Sequence, residues 1–186
     1  LINSSEDTFD NIKKTIALKG LKINEKIQFM QGDLRNKFWL DNIFNDYLKA
    51  NKPIKSVIHF AGLKSIYDSI KSPIEYWDAN ISSTISLLLA MQKFNCFRLI
   101  FSSSACVYKP KGFKLLQESD ETIPFTPYGK TKLFIEELLS DLFACDKNWR
   151  IASLRYFNPI GSHKLGLLPE NSKSKSSNLF PAIIKT

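Results

Sequence analysis

Tyr128 and Lys132 stand four residues apart at the start of a helical pattern, so they share one face of a helix. A nearby ammonium favours a phenolate, drawing a tyrosine pKa down from ~10 toward working pH. A phenol so tuned can take a proton from an alcohol or return one to a carbonyl oxygen. The pair is weak by itself, because lysine is common in this chain and a surface Tyr/Lys pair has the same spacing. Its weight comes from what accompanies it. Ser102-Ser103-Ser104 directly follows an apolar run, where a hydroxyl can hydrogen-bond a substrate oxygen or merely cap the next loop. Phe60-Ala61-Gly62 ends an earlier apolar run, and Gly62 would let a ligand approach the backbone closely. Gly32-Asp33 closes another, with a carboxylate that could accept from an amino group or a ribose hydroxyl, or cap a helix. Tyr156-Phe157-Asn158-Pro159 closes a fourth, and Asn158 offers both donor and acceptor.

These groups act together only if the elements behind them reach one place. Ser4 and Ser5 precede a helical pattern through Phe9, Ile12, Ile16 and Leu18, closed by Gly20. Residues 27–30 predict a short strand, and Phe38, Leu40, Ile43, Phe44, Tyr47 and Leu48 predict a helix. Residues 56–60, 97–102 and 151–156 predict further strands without alternation, as strands covered on both faces should lack it. Ser72, Pro73 and Glu75 predict a capped helix start, running to about Phe94. Thr126-Pro127 opens another helix, apolar at Leu133, Phe134, Leu138, Leu139 and Leu142. Strands alternating with helices predict an α/β, doubly wound parallel sheet, and ligands bind beyond the carboxyl ends of such strands. All the candidate groups fall at that one edge. A first element that is a helix, and a last one cut at Thr186, suggest an internal fragment of a larger protein.

Composition narrows the classes. The 186 residues carry 26 Lys+Arg against 18 Asp+Glu, a net charge of +8. Only four of the basic residues are arginines and the lysines are dispersed, which favours a solvated surface over a nucleic-acid partner. No apolar run reaches the ~18 residues of a membrane span. Cys96, Cys106 and Cys145 lack metal-site spacing, and with His59 and His163 they suggest neither a metal site nor a nucleophilic Cys/His pair. Free thiols point to the reducing cytoplasm. His59 lies within an apolar strand and reads as a core residue. A Walker-type phosphate loop is absent.

Read in order, residues 32–36 (GDLRN), 57–64 (VIHFAGLK), 101–108 (FSSSACVY), 127–132 (PYGKTK) and 154–159 (LRYFNP) together resemble the UDP-glucose 4-epimerases, of the extended short-chain dehydrogenase/reductase superfamily. The resemblance spans nearly the whole chain. It implies a Rossmann-like fold, NAD, a UDP-sugar substrate, and a homodimer formed through the helices that begin at Ser72 and Pro127. It implies that Tyr128 takes the proton of the sugar 4-hydroxyl, that Lys132 holds the nicotinamide ribose and keeps the tyrosine pKa down, and that Ser104 hydrogen-bonds the reacting oxygen. By the same similarity Asn3, Ser4, Asp33, Leu34, Phe60, Ala61, Gly62, Lys64, Asn80, Ser102 and Phe157 line the cofactor. Asn158, Asn178 and Leu179 contact the UDP-sugar. Residues 1–160 would then be a partial NAD-binding domain with the Tyr/Lys helix, and 161–186 the start of a substrate-binding region.

The departures from the family pattern are specific. The glycine-rich phosphate turn and the acid after the second strand would precede Leu1, and most of the substrate domain would follow Thr186. The fragment is therefore expected to be inactive alone. Ala79, Lys109 and Ser177 replace residues usual in the family. Sugar-nucleotide dehydratases carry an Asp-Glu pair after the serine or threonine, and UDP-xylose synthases a Glu. Here the stretch is Ser104-Ala105-Cys106, without an acid. Epimerisation is favoured, with an N-acetylhexosamine substrate or a non-catalytic binding module as the alternatives.

Overall fold

The computed structural model describes residues 7–18, 27–112, 114–159 and 161. They fall in two compact units. The larger, Gly32–Phe157, holds a three-stranded sheet of β1 (Val57–His59), β2 (Arg98–Ser104) and β3 (Arg150–Tyr156). The strands are parallel, in the order β1-β2-β3, with Val57 opposite Leu99 and Leu99 opposite Ile151. This is the expected α/β architecture. Its parallel strands bring residues 60–62, 102–104 and 156–157 to a single edge. Described residues of the other unit include the helix α1 (Asp7–Ala17), whose Phe9 packs on Phe29 with ring centroids 5.0 Å apart.

Residues 27–30 form no strand ladder among the described residues. A strand is held by its ladder, and Phe29 and Met30 remain 43% and 37% exposed. The N-terminal cap expected at Ser4 and Ser5, and the stop at Gly20, lie outside the described residues.

Helix α2 (Lys37–Lys49) starts at Asn36, whose side chain accepts the Trp39 N–H at 3.0 Å. Asp33 is therefore not its cap. The helix expected from Ser72 to Phe94 forms in three parts: α4 (Pro73–Trp77), a π-helical turn (Asp78–Ser82) and α5 (Ser83–Lys93). A short unforeseen helix, α3 (Ile66–Lys71), precedes them and is capped by the Ser65 side chain. Ser72 ends α3 as well as starting α4, and its backbone sits at φ −130°, ψ 61°. Its side chain makes no capping bond, so the expected capping box does not form. Helix α6 (Pro127–Cys145) starts as predicted, with Thr126 accepting the Gly129 N–H at 3.1 Å and Pro127 in the first turn.

The core lies on one face of the sheet. Leu99 and Phe101 of β2 pack with Leu40 and Phe44 of α2, Leu87 and Met91 of α5, Ile135 and Leu139 of α6, and Trp149. Phe101 and Met91 are wholly buried, each contributing ~2–3 kcal/mol of transfer free energy. On the opposite face Ile58, Ile100 and Leu154 are 59%, 37% and 40% exposed among the described residues. β2 is apolar on both faces over Leu99–Phe101, as the missing alternation implies, and among the described residues one face of the sheet is covered.

Candidate active site

Strand β2 ends in Ser102, Ser103 and Ser104, and each of the three has a different tie to α6. The Ser102 carbonyl accepts from Lys132 Nζ at 2.9 Å. Ser103 Oγ donates to the Glu136 carboxylate. Ser104 lies beside the Tyr128 phenol, whose pKa it pulls down, and accepts the Cys106 N–H at 3.2 Å. Helical spacing explains this, because positions 128, 132 and 136 rise along one face of α6 against one strand. Tyr128 and Lys132 are only 8% and 5% exposed.

Electrostatics departs from expectation. Burial pushes the Tyr128 phenol above its usual range, and the bond to Ser104 pulls the other way. Lys132 does not figure among the causes. Its ammonium sits 5.9 Å from the Tyr128 ring centroid and 4.9 Å from that of Phe101. Burial brings its own pKa down to about 8. Tyr128 and Lys132 share the face that their spacing predicts, but the phenol shifts up rather than down, because its own desolvation outweighs the pull of Ser104.

The loop after β1 faces the same lysine. Gly62 has φ +151°, a conformation side chains rarely adopt. A Cβ there would lie 3.0 Å from Asn80 Oδ1 and 3.6 Å from Lys132 Nζ. Asn80, on the π-helical turn, clamps this loop. Its Oδ1 accepts the Leu63 N–H at 2.7 Å, and its Nδ2 donates to Leu63 O at 3.1 Å and to Thr131 Oγ1 at 3.0 Å. His59 is buried as foreseen, 2.9 Å from Thr84 Oγ1, and burial with the Lys132 charge lowers its pKa to about 4.

Other predicted residues sit further out. Asp33 is exposed and held by Arg35, which donates from its backbone N–H and its guanidinium. That contact keeps the Asp33 carboxyl below the usual carboxylate range. Leu34 packs against the core, and Phe60, Ala61 and Lys64 are exposed. Phe157 is 60% exposed beyond β3, and Asn158, also exposed, belongs to the other unit. Asn3, Ser4, Asn178 and Leu179 lie outside the described residues. The sequence reading missed Glu136, although its place four residues after Lys132 was a usable signal.

The chemistry of these groups fits a dinucleotide. A lysine ammonium has three donors, of which Ser102 O takes one, so a ribose diol could engage the rest. A side chain at Gly62 would crowd the Asn80 clamp and the Lys132 ammonium. Among the described residues, no cluster of His, Cys, Asp and Glu could hold a metal ion.

A parallel α/β sheet with serine, tyrosine and lysine at its carboxyl edge places the chain in the Rossmann-like class. Comparison with known proteins gives the family. The model of the NAD dependent epimerase/dehydratase family matches residues 4–186, and the chain belongs to that family. It is 39% identical over 181 residues to the bifunctional UDP-glucose 4-epimerase and UDP-xylose 4-epimerase 3 of Arabidopsis thaliana, covering 97% of this chain and 50% of that protein. It also resembles the crystal structure of UDP-glucose 4-epimerase from Bifidobacterium longum in complex with NAD+ and UDP. The TM-score is 0.84 at 39% identity, over 99% of this chain and 52% of that one. The Stenotrophomonas maltophila UDP-glucose 4-epimerase, with bound NAD and formylated UDP-arabinopyranose, gives a TM-score of 0.88 at 38% identity, over 100% and 52%. The chain thus spans about half the length of the relatives it matches.

Proposed function

We propose that this chain carries the cofactor and proton-transfer half of a UDP-glucose 4-epimerase, which interconverts UDP-galactose and UDP-glucose through a 4-keto sugar. The observation that carries the reading is the burial of Tyr128 and Lys132 together beside the serines that end β2, with no acid in the following Ala105-Cys106. Tyr128 accepts the 4-hydroxyl proton and returns it, and Ser104 orients the reacting oxygen. Lys132 holds the cofactor ribose. NAD, when bound, supplies the reversible oxidation of the sugar carbon. Gly62, with Phe60, Ala61, Lys64, Asn80, Ser102 and Phe157, borders the cofactor, and Asp33 and Leu34 its adenine end. Asn3 and Ser4 complete the cofactor contacts, and Asn158, Asn178 and Leu179 hold the UDP-sugar. Residues 1–160 then form the cofactor domain and 161–186 open the substrate region. Without an acid after Ser104, elimination of water has no proton donor, which favours epimerisation over dehydration.

The working form in this reading is a cytoplasmic homodimer. Three free cysteines suit a reducing compartment. Among the described residues no helix is long and apolar enough to cross a membrane. Ile74, Trp77, Leu89 and Phe134 are 84%, 38%, 48% and 44% exposed on α4, α5 and α6, a face that a second copy would cover.

The test is turnover of UDP-galactose by the protein carrying this chain, with Tyr128→Phe beside it. The variant should retain bound NAD and lose at least ~10²-fold in kcat. Undiminished turnover would remove Tyr128 from its role. Turnover of UDP-N-acetylgalactosamine in preference to UDP-galactose would move the substrate to the N-acetylated class.

A further inference from the structure

Among the described residues, the most enclosed ion pair is Arg155–Glu136, with side chains 21% and 10% exposed. The fork of Arg155 is bidentate. Its Nε lies 3.1 Å from both carboxylate oxygens and its Nη2 lies 2.7 Å from Oε2. Such paired, charge-assisted bonds fix relative orientation as well as adding attraction. The same carboxylate accepts from Ser103 Oγ. Ser103 and Arg155 are partners across the β2–β3 ladder. One side chain of α6 is thus fastened to adjacent residues of two strands. On its far side the guanidinium donates to Glu118 O at 3.1 Å and lies 4.8 Å from the Tyr108 ring.

The place of this fastening matters more than its strength. Ser103 separates Ser102, whose carbonyl receives Lys132, from Ser104, which adjoins the Tyr128 phenol. Glu136 follows Lys132 by one helical turn and Tyr128 by two. Any slide or roll of α6 against β2 therefore changes both catalytic contacts together. Surface ion pairs elsewhere on the molecule, such as Lys109–Glu121 and Lys93–Asp41, bridge no element that holds Tyr128 or Lys132.

We propose that Glu136 and Arg155 are positioning residues, which lock α6 onto β2 and β3 and so hold Tyr128 on Ser104 and Lys132 on the Ser102 carbonyl. The inference rests on the epimerase reading. Misplacing reacting groups by ~1 Å can lower a rate ~10²-fold. In the protein carrying this chain, Glu136→Gln keeps the shape and removes the charge. It should lower kcat by at least ~10-fold, leave KM for UDP-galactose within ~2-fold, and move the phenol's limb of the pH–rate profile upward. Arg155→Lys keeps the charge without the fork and should act in the same direction. Leu139→Ala, in the core of the same helix, is the control for lost stability alone. It should lower Tm and leave the pH limb unmoved.

The proposal falls if Glu136→Gln and Arg155→Lys both keep wild-type kcat and pH profile, or if Leu139→Ala shifts the limb equally. A wild-type protein that does not epimerise would sink the functional reading instead. The clamp is then read from the Tyr128 phenol, titrated by ultraviolet difference against Tyr128→Phe. A raised midpoint in Glu136→Gln supports the clamp, and an unchanged one overturns it.

Discussion

Replacing Lys132 with methionine should stabilise the folded chain while disabling its site. Lys132 is 5% exposed, and burial brings its pKa from 10.5 to about 8. Each pH unit of such a displacement is worth ~1.4 kcal/mol, so keeping the ammonium inside at pH 7 costs about 3 kcal/mol. Methionine has similar length and no charge to desolvate. It loses the bond from a charged donor to Ser102 O, worth ~1.5–3 kcal/mol. The net gain for Lys132→Met is at most about 1.5 kcal/mol at neutral pH. The pH dependence has a definite sign. Between about pH 8 and 10.5 the unfolded chain keeps a proton that the folded chain has shed. Stability of the wild type therefore rises across that window, and its deficit against the variant closes. Tyr128 works the other way only at higher pH, and it is common to both proteins. Urea unfolding at pH 7 and pH 9.5, followed by the fluorescence of the buried Trp149, measures the difference. A variant less stable than wild type at pH 7, by an amount that does not change with pH, would refute the reasoning.

Two further outcomes follow from the same burial arguments. His59, with its pKa lowered to about 4, binds a proton later than its unfolded counterpart, so stability should fall as pH drops from 6.5 toward 4, by up to ~3 kcal/mol in total. His59→Gln can still reach Thr84 and should flatten that decline, which acid unfolding monitored by circular dichroism would show. Gly129→Ala gains ~1 kcal/mol of helix propensity but places a Cβ 2.5 Å from the Cys106 carbonyl oxygen and 3.0 Å from Pro124 Cβ. Backbone must move, at ~1–3 kcal/mol, so Tm should fall; an unchanged or raised Tm would mean the turn after Ser104 yields freely.

Much of this organisation was readable in the residues. The parallel strands, the helix opening at Thr126-Pro127 and the buried His59 all follow from local pattern, because apolar runs and caps are encoded within a few positions. So was the gathering of Gly62, Ser104, Tyr128 and Lys132 at one edge. What was not readable depends on neighbours distant in sequence. Ser72 fails as a side-chain cap because α3, a helix too short to announce itself, ends on it. The π-helical turn that carries Asn80 inward has no pattern of its own, and its reason is the Leu63 backbone it clamps. Residues 27–30 have the composition of a strand but no ladder among the described residues. The phenol's shift was misread because a spacing of four specifies proximity, whereas the sign of a pKa shift depends on how much water the fold leaves.

That sign bears on how the proposed reaction is shared between the two groups. Burial drives both Tyr128 and Lys132 toward their neutral forms, the first upward and the second down to about 8. At pH 7 the lysine is still charged and the phenol still holds its proton. In this state the phenol can donate a proton to a carbonyl oxygen, and it must first ionise before it takes one from an alcohol. An epimerase must do both in one turnover, since the 4-hydroxyl is deprotonated at the start and rebuilt at the end. A phenol displaced far downward would serve the first step and hinder the last. Among the described residues Ser104 is the group that pulls the phenol toward ionisation, so the placement of the phenol against Ser104 decides how near the balance lies. This is why the fastening of α6 through Glu136, rather than the Tyr/Lys spacing alone, should govern the pH profile.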